Sequence, residues 1–162
     1  YDWGVLQNTQ TALYTVTQQV NADGTIASRT QGGRTTEYTW DARGRITRVN
    51  PPGNGDDIVT DYPDPNHVVV TRGPSVTTVT LDGFGRTVLV QGPSSTSRTA
   101  YDAEGRKVYE SYPYSATDIG VTVQYDALGR VTRRINPDAT EVRYTYEPGA
   151  VSIRDENGRT TR

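Results

Sequence analysis

Residues 101–106 read YDAEGR and residues 125–130 read YDALGR, and related stretches stand at 40–45 (WDARGR), 81–86 (LDGFGR) and 154–159 (RDENGR). Aspartate with a glycine three residues later predicts a type I turn closed by a bulge, because the carboxylate accepts turn amides and glycine takes a positive φ. The arginine after each glycine then lies across the hairpin from the aspartate, where the two can form an ion pair. A recurring hairpin turn therefore organises this chain.

Large side chains precede the aspartates and alternate backwards along the chain, as Tyr38 and Trp40 do, and as Val121, Val123 and Tyr125 do. This period of two is typical of β-strands, and no stretch shows the three-and-four apolar spacing of a helix. Stretches between the motifs, among them GPSSTS at 92–97 and NPDAT at 136–140, reverse the chain again. We expect an all-β chain of consecutive antiparallel hairpins, forming a curved, twisted strip of roughly 10–14 strands.

The motif aspartates are unevenly spaced, and the larger gaps hold degenerate units. Residues 61–70 (DYPDPNHVVV) read as one such unit, and NADGTIAS around Asp23 reads as another with one turn residue missing. About seven units then cover residues 1–162 as a single repeat segment. The chain begins at Tyr1 without a methionine and stops shortly after a motif, so we expect a segment truncated at both ends of a longer protein.

Composition narrows the classes of partner. An apolar fraction of 33%, with eleven Tyr, one Phe and no Met, favours a thin sheet over a thick globular core. A net charge of −2 supplies no positive field for nucleic acid, and no apolar run approaches the roughly 20 residues of a membrane helix. The absence of cysteine excludes disulfides and thiol catalysis. We expect neither nucleic-acid binding nor membrane insertion.

Chemical functions have little support in the sequence. Catalysis needs titratable groups that converge in one pocket, whereas the motif carboxylates are spread along the chain. His67 is the only histidine, and no G-x-S-x-G elbow occurs. NADGT and DENGR resemble the start of a calcium loop without its later acidic residue, and Asp56 and Asp57 read as part of a solvated loop. We predict no enzymatic activity, no cofactor and no metal.

Aromatic side chains provide an alternative to a purely structural function. Tyr109, Tyr112 and Tyr114 cluster, as do Tyr144 and Tyr146 in another unit. Rows of exposed rings can stack on sugars, although packing across strands is the commoner role of aromatics at a spacing of two. Buried rings would favour a scaffold, and side-by-side exposed rings would favour binding.

The motif resembles that of the Rhs or YD-repeat proteins, in which Tyr-Asp, two variable residues and Gly-Arg precede a strand. Residues 101–106 and 125–130 match in full, whereas Trp40, Leu81 and Arg154 replace the tyrosine in the other copies. The resemblance implies a long antiparallel strip that spirals into a hollow shell in complete members. Such shells enclose a carboxy-terminal toxin in bacterial polymorphic toxins and insecticidal toxin complexes, and the teneurin adhesion receptors form a closed barrel.

The function that the resemblance implies is structural, a wall segment of a shell that encloses or presents a toxin or other polypeptide. The partners would be the rest of the parent shell and the enclosed cargo, and the parent would be secreted or displayed at the cell surface. A carbohydrate-binding or cell-adhesion module is the alternative. The structural motif residues are Trp40, Asp41, Gly44, Arg45, Leu81, Asp82, Gly85, Arg86, Tyr101, Asp102, Gly105, Arg106, Tyr125, Asp126, Gly129, Arg130, Asp155, Gly158 and Arg159.

A segment of such a sheet leaves strand edges with unpaired backbone groups, and these edges recruit other strands. We therefore expect copies of the chain to associate through sheet edges or by stacking of faces. The apolar face turned away from water would carry Tyr38, Trp40, Val79, Leu81, Val121, Val123 and Tyr125.

Overall fold

The computed structural model describes residues 4–10 and 15–162, which form strands and connecting turns without a helix. Sixteen strands are described, and their order in the sheet is their order in the chain. The prediction of an all-β chain of consecutive antiparallel hairpins is confirmed. The strand number of roughly 10–14 expected from average strand lengths is too low, because short strands of three and two residues begin and end the series. In the same described residues, no helix is long and apolar enough to span a bilayer.

The chain divides into two units, Tyr1–Thr78 and Val79–Arg162. Strand β8 (Ser75–Leu81) contains the point of division. The first unit holds β1 (Asn8–Gln10), β2 (Thr15–Val20), β3 (Ile26–Gln31), β4 (Arg34–Trp40), β5 (Ile46–Asn50), β6 (Ile58–Asp64) and β7 (His67–Arg72). The second holds β9 (Thr87–Gln91), β10 (Thr96–Tyr101), β11 (Lys107–Ser111), β12 (Gly120–Tyr125), β13 (Val131–Ile135), β14 (Glu141–Glu147), β15 (Ala150–Arg154) and β16 (Thr160–Thr161).

Each unit has a thin core. Among the described residues, Val121 is the one buried hydrophobic residue, with 7% of its surface exposed, and Ser111 is the one buried polar residue. The other six residues of the predicted apolar face are half-buried. One sheet layer cannot enclose its own side chains, so hydrogen-bond ladders and contacts between neighbouring hairpins must supply the order that a deep core supplies elsewhere.

The hairpin turns of the second unit lie in two rows, one at each end of the strands, because each strand reverses the direction of the chain. We call these rows the two turn edges of the unit. The turns at 102–106 and 126–130 follow β10 and β12 and share one edge. The turns at 136–140 and 155–159 follow β13 and β15 and lie at the other edge. The last copy of the motif is therefore out of phase with the two before it.

Candidate functional site

The motif turns share one backbone geometry. At residues 102–106, Gly105 N–H donates to the Asp102 carbonyl and Asp102 N–H donates to the Arg106 carbonyl, both at 3.0 Å. The register of β10 against β11 shifts between Ala100 and Tyr101, which is the predicted bulge. The predicted positive φ of the motif glycines is confirmed, with values between 73° and 83° at Gly44, Gly85, Gly105, Gly129 and Gly158.

Each motif carboxylate is occupied by its own turn. Asp126 Oδ1 accepts the backbone N–H groups of Leu128 and Arg130, both at 2.9 Å, and Oδ2 accepts Arg130 Nε–H at 2.7 Å. The same pairing of an arginine with its aspartate occurs at Asp41, Asp82 and Asp102 with nitrogen–oxygen distances of 2.7 Å. The predicted cross-strand ion pair is therefore present in four copies of the motif.

These hydrogen bonds hold the carboxylates in the ionised form. The backbone N–H of the motif arginine lowers the pKa of Asp41, Asp82 and Asp126, and the arginine side chain adds to this effect. At Asp102, burial raises the pKa, but hydrogen bonds from Arg106 outweigh it and the pKa is lowered. A general base works best with a pKa near the working pH. These carboxylates instead behave as permanent acceptors.

The fifth copy differs. Asp155 Oδ1 accepts the backbone N–H groups of Asn157 at 3.0 Å and Arg159 at 2.7 Å, as in the other turns. Within the part of the chain that the structure describes, no ion pair joins Asp155 to Arg159. The turn therefore forms without the arginine contact.

The motif arginine also contacts the next hairpin. The guanidinium carbon of Arg106 lies 4.8 Å from the ring centroid of Tyr125, whose hydroxyl donates to the Lys107 carbonyl at 2.8 Å. Arg130 lies 4.3 Å from the ring centroid of Tyr146, whose hydroxyl donates to the Val131 carbonyl at 2.8 Å. We call this set the arginine clamp, meaning a motif arginine, its aspartate and the aromatic side chain one hairpin later.

Two further clamps have the same construction. Arg86 lies 4.3 Å from the ring centroid of Tyr101, whose hydroxyl donates to the Thr87 carbonyl at 3.4 Å. In the first unit, Arg45 lies 3.8 Å from the ring centroid of Tyr62, whose hydroxyl donates to the Ile46 carbonyl at 3.2 Å. In each case the tyrosine binds the carbonyl of the residue that follows the arginine.

Sequence reasoning predicted the pairing inside each turn but missed the contact between hairpins. Tyr62 lies in the degenerate unit at 61–70 and Tyr146 lies outside every copy of the motif, although each completes a clamp. A signal was present, since an aromatic residue stands near the end of the strand one hairpin after each of Arg45, Arg86, Arg106 and Arg130. That signal becomes visible only when neighbouring hairpins are placed side by side.

The degenerate unit around Asp23 lacks no turn residue, contrary to the sequence prediction. Asn21 N–H donates to the Thr25 carbonyl at 2.8 Å and Gly24 N–H donates to the Asn21 carbonyl at 3.0 Å, so Asn21 occupies the aspartate position. The stretch NPDAT forms the same turn, in which Asn136 N–H donates to the Thr140 carbonyl at 2.9 Å. Because Asn21 and Asn136 replace the aspartate, and Thr25 and Thr140 replace the arginine, these two turns do not match the D-x-x-G-R motif.

The degenerate unit at 61–70 is a hairpin whose turn begins at Asp64, three residues later than its first aspartate. Asp64 Oδ1 accepts Asn66 N–H at 2.8 Å, and Asp64 pairs directly with His67 across β6 and β7. His67 Nδ1 lies 2.8 Å from Asp64 Oδ2. The only histidine of the chain thus stands at a turn, where it pairs with the turn aspartate as arginine does in four copies of the motif.

Most aromatic rings near a motif are covered by arginine. Besides the four clamp tyrosines, Tyr109 has the guanidinium of Arg98 at 4.4 Å from its ring centroid and donates its hydroxyl to Asp118 Oδ1 at 2.6 Å. A ring with an arginine on its face cannot present that face to a sugar. Tyr112 differs, because 47% of its surface is exposed beside a cavity of about 520 Å³.

The stretches considered for calcium form ordinary turn contacts. Asp23 Oδ1 accepts the N–H of Thr25 at 3.0 Å and its hydroxyl at 2.6 Å. Asp57 Oδ2 accepts Arg48 Nε–H at 2.7 Å. Within residues 4–10 and 15–162, no three or more His, Cys, Asp or Glu side chains are grouped so that they could hold a metal ion.

No family model matches the chain, and no curated protein matches it. A functional conclusion therefore depends on the motif and on the contacts that its residues make.

Proposed function

We propose that this chain is a wall segment of an Rhs-type shell, which encloses or presents another polypeptide. The arginine clamp is the observation that carries this proposal. In each complete clamp, the carboxylate, guanidinium and phenol groups of the motif all serve to form a turn or to join one hairpin to the next. No group of the clamp is left for substrate turnover, which supports a non-enzymatic role.

A wall of this kind needs stability without a filled interior. Isolated two-stranded hairpins are marginally stable in water, and repeat proteins gain their stability from interfaces between neighbouring repeats. The four clamps supply such interfaces at the turns 41–45, 82–86, 102–106 and 126–130, and the half-buried faces show that the sheet does not depend on a deep core. The remaining hairpins of the shell would continue the sheet, and the secreted or surface-exposed parent would hold its cargo behind it.

Protection of the enclosed polypeptide tests this proposal. The full parent protein would be treated with a protease, and cleavage of the cargo would be followed by mass spectrometry. We expect an intact cargo in the unmodified protein and a cleaved cargo once Arg106 and Arg130 are both replaced by alanine. Leu128→Ser, at a turn tip with 78% of its surface exposed, is the matched control and should preserve protection. Equal cleavage of the cargo in the unmodified and clamp-deficient proteins would contradict a shell.

A carbohydrate-binding or adhesive module is the second candidate, and the exposed ring of Tyr112 favours it. The adjacent cavity is lined in part by Tyr109, Pro113 and Val121. An aromatic ring beside an apolar wall is a common platform for the apolar face of a sugar. Binding of the chain to a glycan array, lost in Tyr112→Ala and retained in Tyr101→Phe, would support this function. An array without any bound glycan would reject it.

A further inference from the structure

Three arginines stand in direct register across three strands of the second unit. Arg133 of β13 is paired with Arg143 of β14, and Arg143 is paired with Arg154 of β15. Directly paired residues project from the same face with side chains about 5 Å apart, and like charges in such positions repel each other. We call these three residues the arginine row.

Only part of the charge on the arginine row is neutralised. Glu141 lies between two of its members, with Oε2 accepting Arg133 Nε–H and Oε1 accepting Arg143 Nε–H. Arg154 has no carboxylate oxygen within 4 Å in the described part of the chain. Arg154, at the end of the row, therefore has no acidic partner in the described residues. Its neighbour Arg143 shares Glu141 with Arg133.

Two other carboxylates line the same space but are bound elsewhere. Asp155 Oδ1 accepts two amides of its own turn. Glu156 Oε1 accepts an N–H from Asn136 Nδ2 at 3.3 Å, across the two turns at this edge. Neither forms an ion pair with the arginine row in the described residues. The positive charge of Arg154 is therefore available to a ligand.

The arginine row lines a cavity of about 400 Å³, together with Glu141 and Thr140. A guanidinium carries five N–H donors, and Glu141 accepts the Nε–H of Arg133 and of Arg143, so their Nη groups are not used by it. Planar guanidinium forks suit the oxygens of a phosphate group, to which they donate in pairs. The space is large enough for such a group beside the side chains.

We propose that Arg133, Arg143 and Arg154 form a binding site for a phosphate group, either free or carried by a larger molecule. The site lies at the edge of the second unit that holds the turns 136–140 and 155–159, and it uses no residue of a clamp. Arg143 and Arg154 supply most of the donors, and Glu141 fixes the orientation of Arg133 and Arg143. The proposal does not depend on the wall function.

The direct test is a titration of the chain with inorganic phosphate at constant ionic strength, followed through the arginine Nε–H signals in nuclear magnetic resonance spectra. We expect saturable shifts with phosphate and none with acetate. Arg154→Gln should weaken binding about tenfold or more, because a charged donor pair is lost. Arg134→Gln is the matched control, since Arg134 neighbours Arg133 on β13 but projects from the opposite face.

Thermal unfolding provides a second test, because the effect of Arg154→Gln on the melting temperature should differ without and with phosphate. Without phosphate, Arg154→Gln should leave the melting temperature unchanged or raise it, because repulsion along the row is relieved. At saturating phosphate, the same variant should melt below the unmodified chain, because ligand binding stabilises only the folded state that binds it. Arg143→Gln should behave in the same way. Ribose 5-phosphate in place of phosphate tests the carrier: shifts of equal size indicate recognition of the phosphate group itself, and shifts with inorganic phosphate alone indicate a site for the free ion.

Two results would overturn the proposal. The first is the absence of a saturable shift with either phosphate compound. The second is equal weakening by Arg154→Gln and Arg134→Gln, which would show that phosphate responds to overall charge and not to the arginine row.

Discussion

The turns at 126–130 and 21–25 have the same backbone hydrogen bond but differ in whether a turn side chain contacts the next hairpin. In both, the amide of the first residue donates to the carbonyl of the fifth, at 2.9 Å from Asp126 and 2.8 Å from Asn21. In the first turn, Arg130 pairs with Asp126 and covers the ring of Tyr146. In the second, Asn21 Nδ2–H donates only as far as the Thr25 hydroxyl, at 2.9 Å. The turn thus forms without the D-x-x-G-R sequence, and that sequence adds a contact with the next hairpin.

The clamp has two parts, the hydrogen bond from the aromatic side chain to the backbone and the arginine over the ring, and the turn at 21–25 has only the first. Trp40 follows the turn at 21–25 by one hairpin, and its Nε1–H donates to the Ile26 carbonyl at 2.8 Å. This hydrogen bond occupies the position that the tyrosine hydroxyl occupies elsewhere, although no arginine stands in the turn. The aromatic donor therefore bonds to the backbone of the preceding hairpin, and the arginine adds a cation over the ring.

The largest expected effect is that of acid on stability, because aspartate turns lose a stabilising charge at low pH and asparagine turns do not. The pKa of Asp41, Asp82, Asp102 and Asp126 is lowered in the folded chain. A carboxylate with a lowered pKa stabilises the fold above the unfolded value of about 3.9, and this contribution is lost as the pH falls through the folded value. We expect a melting temperature that changes little from about pH 7 to 5 and falls steeply below about pH 4.

Asp126→Asn is the matched variant for this experiment, because Asn21 shows that asparagine can begin the turn. It should flatten the acid dependence measured by thermal unfolding. A melting temperature that stays constant to about pH 2 would show that the turn carboxylates do not support the folded state.

Valine at a turn glycine should have the next largest effect. Gly44 has a φ of 73°, and a Cβ added there would meet no atom within 4 Å, so the backbone conformation alone is tested. Gly44→Val should lower the free energy of unfolding by about 1–2 kcal/mol. Arg43→Val, one residue earlier, should change it by less than about 0.5 kcal/mol. Equal losses in denaturant unfolding would reject the assigned turn.

The two asparagine turns give opposite expectations at the same backbone position. Ala139 has a φ of 66°, where the turn at 21–25 has Gly24 with a φ of 84°. Ala139→Gly should raise the free energy of unfolding by roughly 0.5–1 kcal/mol, because the strain of a left-handed alanine exceeds the entropy cost of glycine. Gly24→Ala should lower it by a similar amount. Denaturant unfolding of both variants checks the signs, and the same sign in both would contradict equivalent turns.

These turns show how far the sequence could predict the fold. Asp and Gly three residues apart encode local backbone geometry, so the hairpins and the positive φ at Gly129 followed from the sequence alone. The contact of Arg130 with Tyr146 did not follow, because it depends on the register of β13 against β14. That register is set by the connection at 136–140, which was not recognised as a turn of the same class.

The same limit applies to the candidate phosphate site. Arg133, Arg143 and Arg154 are unremarkable in a chain with many arginines, and only the pairing of three strands aligns them. The position of the last motif turn at the opposite ends of the strands could not be predicted from the motif either. The sequence around 155–159 spells the same turn, but two connections, at 136–140 and 147–150, separate it from the turn at 126–130, whereas one connection separates the turns at 102–106 and 126–130. The last motif turn therefore lies at the opposite ends of the strands.

A graft of the motif into the turn at 21–25 should give the smallest effect. Asn21→Asp with Thr25→Arg places a guanidinium within reach of Trp40, and a cation over an indole ring should stabilise the chain by about 0.5–1 kcal/mol. Asn136→Asp with Thr140→Arg is the control, because Arg154 stands there in the aromatic position of the next hairpin. Denaturant unfolding should show a gain in the first pair of substitutions and none in the second. Equal gains would mean that the new turn, and not the ring, is responsible.

The clamp itself is tested most directly by a double-mutant cycle on Arg130 and Tyr146. Arg130→Gln, Tyr146→Leu and the double variant would be compared by denaturant unfolding, with Arg134→Gln and Tyr146→Leu as the control cycle. We predict a coupling of about 0.5–1 kcal/mol for Arg130 with Tyr146 and none for the control. Losses that add to within about 0.3 kcal/mol in both cycles would contradict the claim that the motif arginine joins one hairpin to the next.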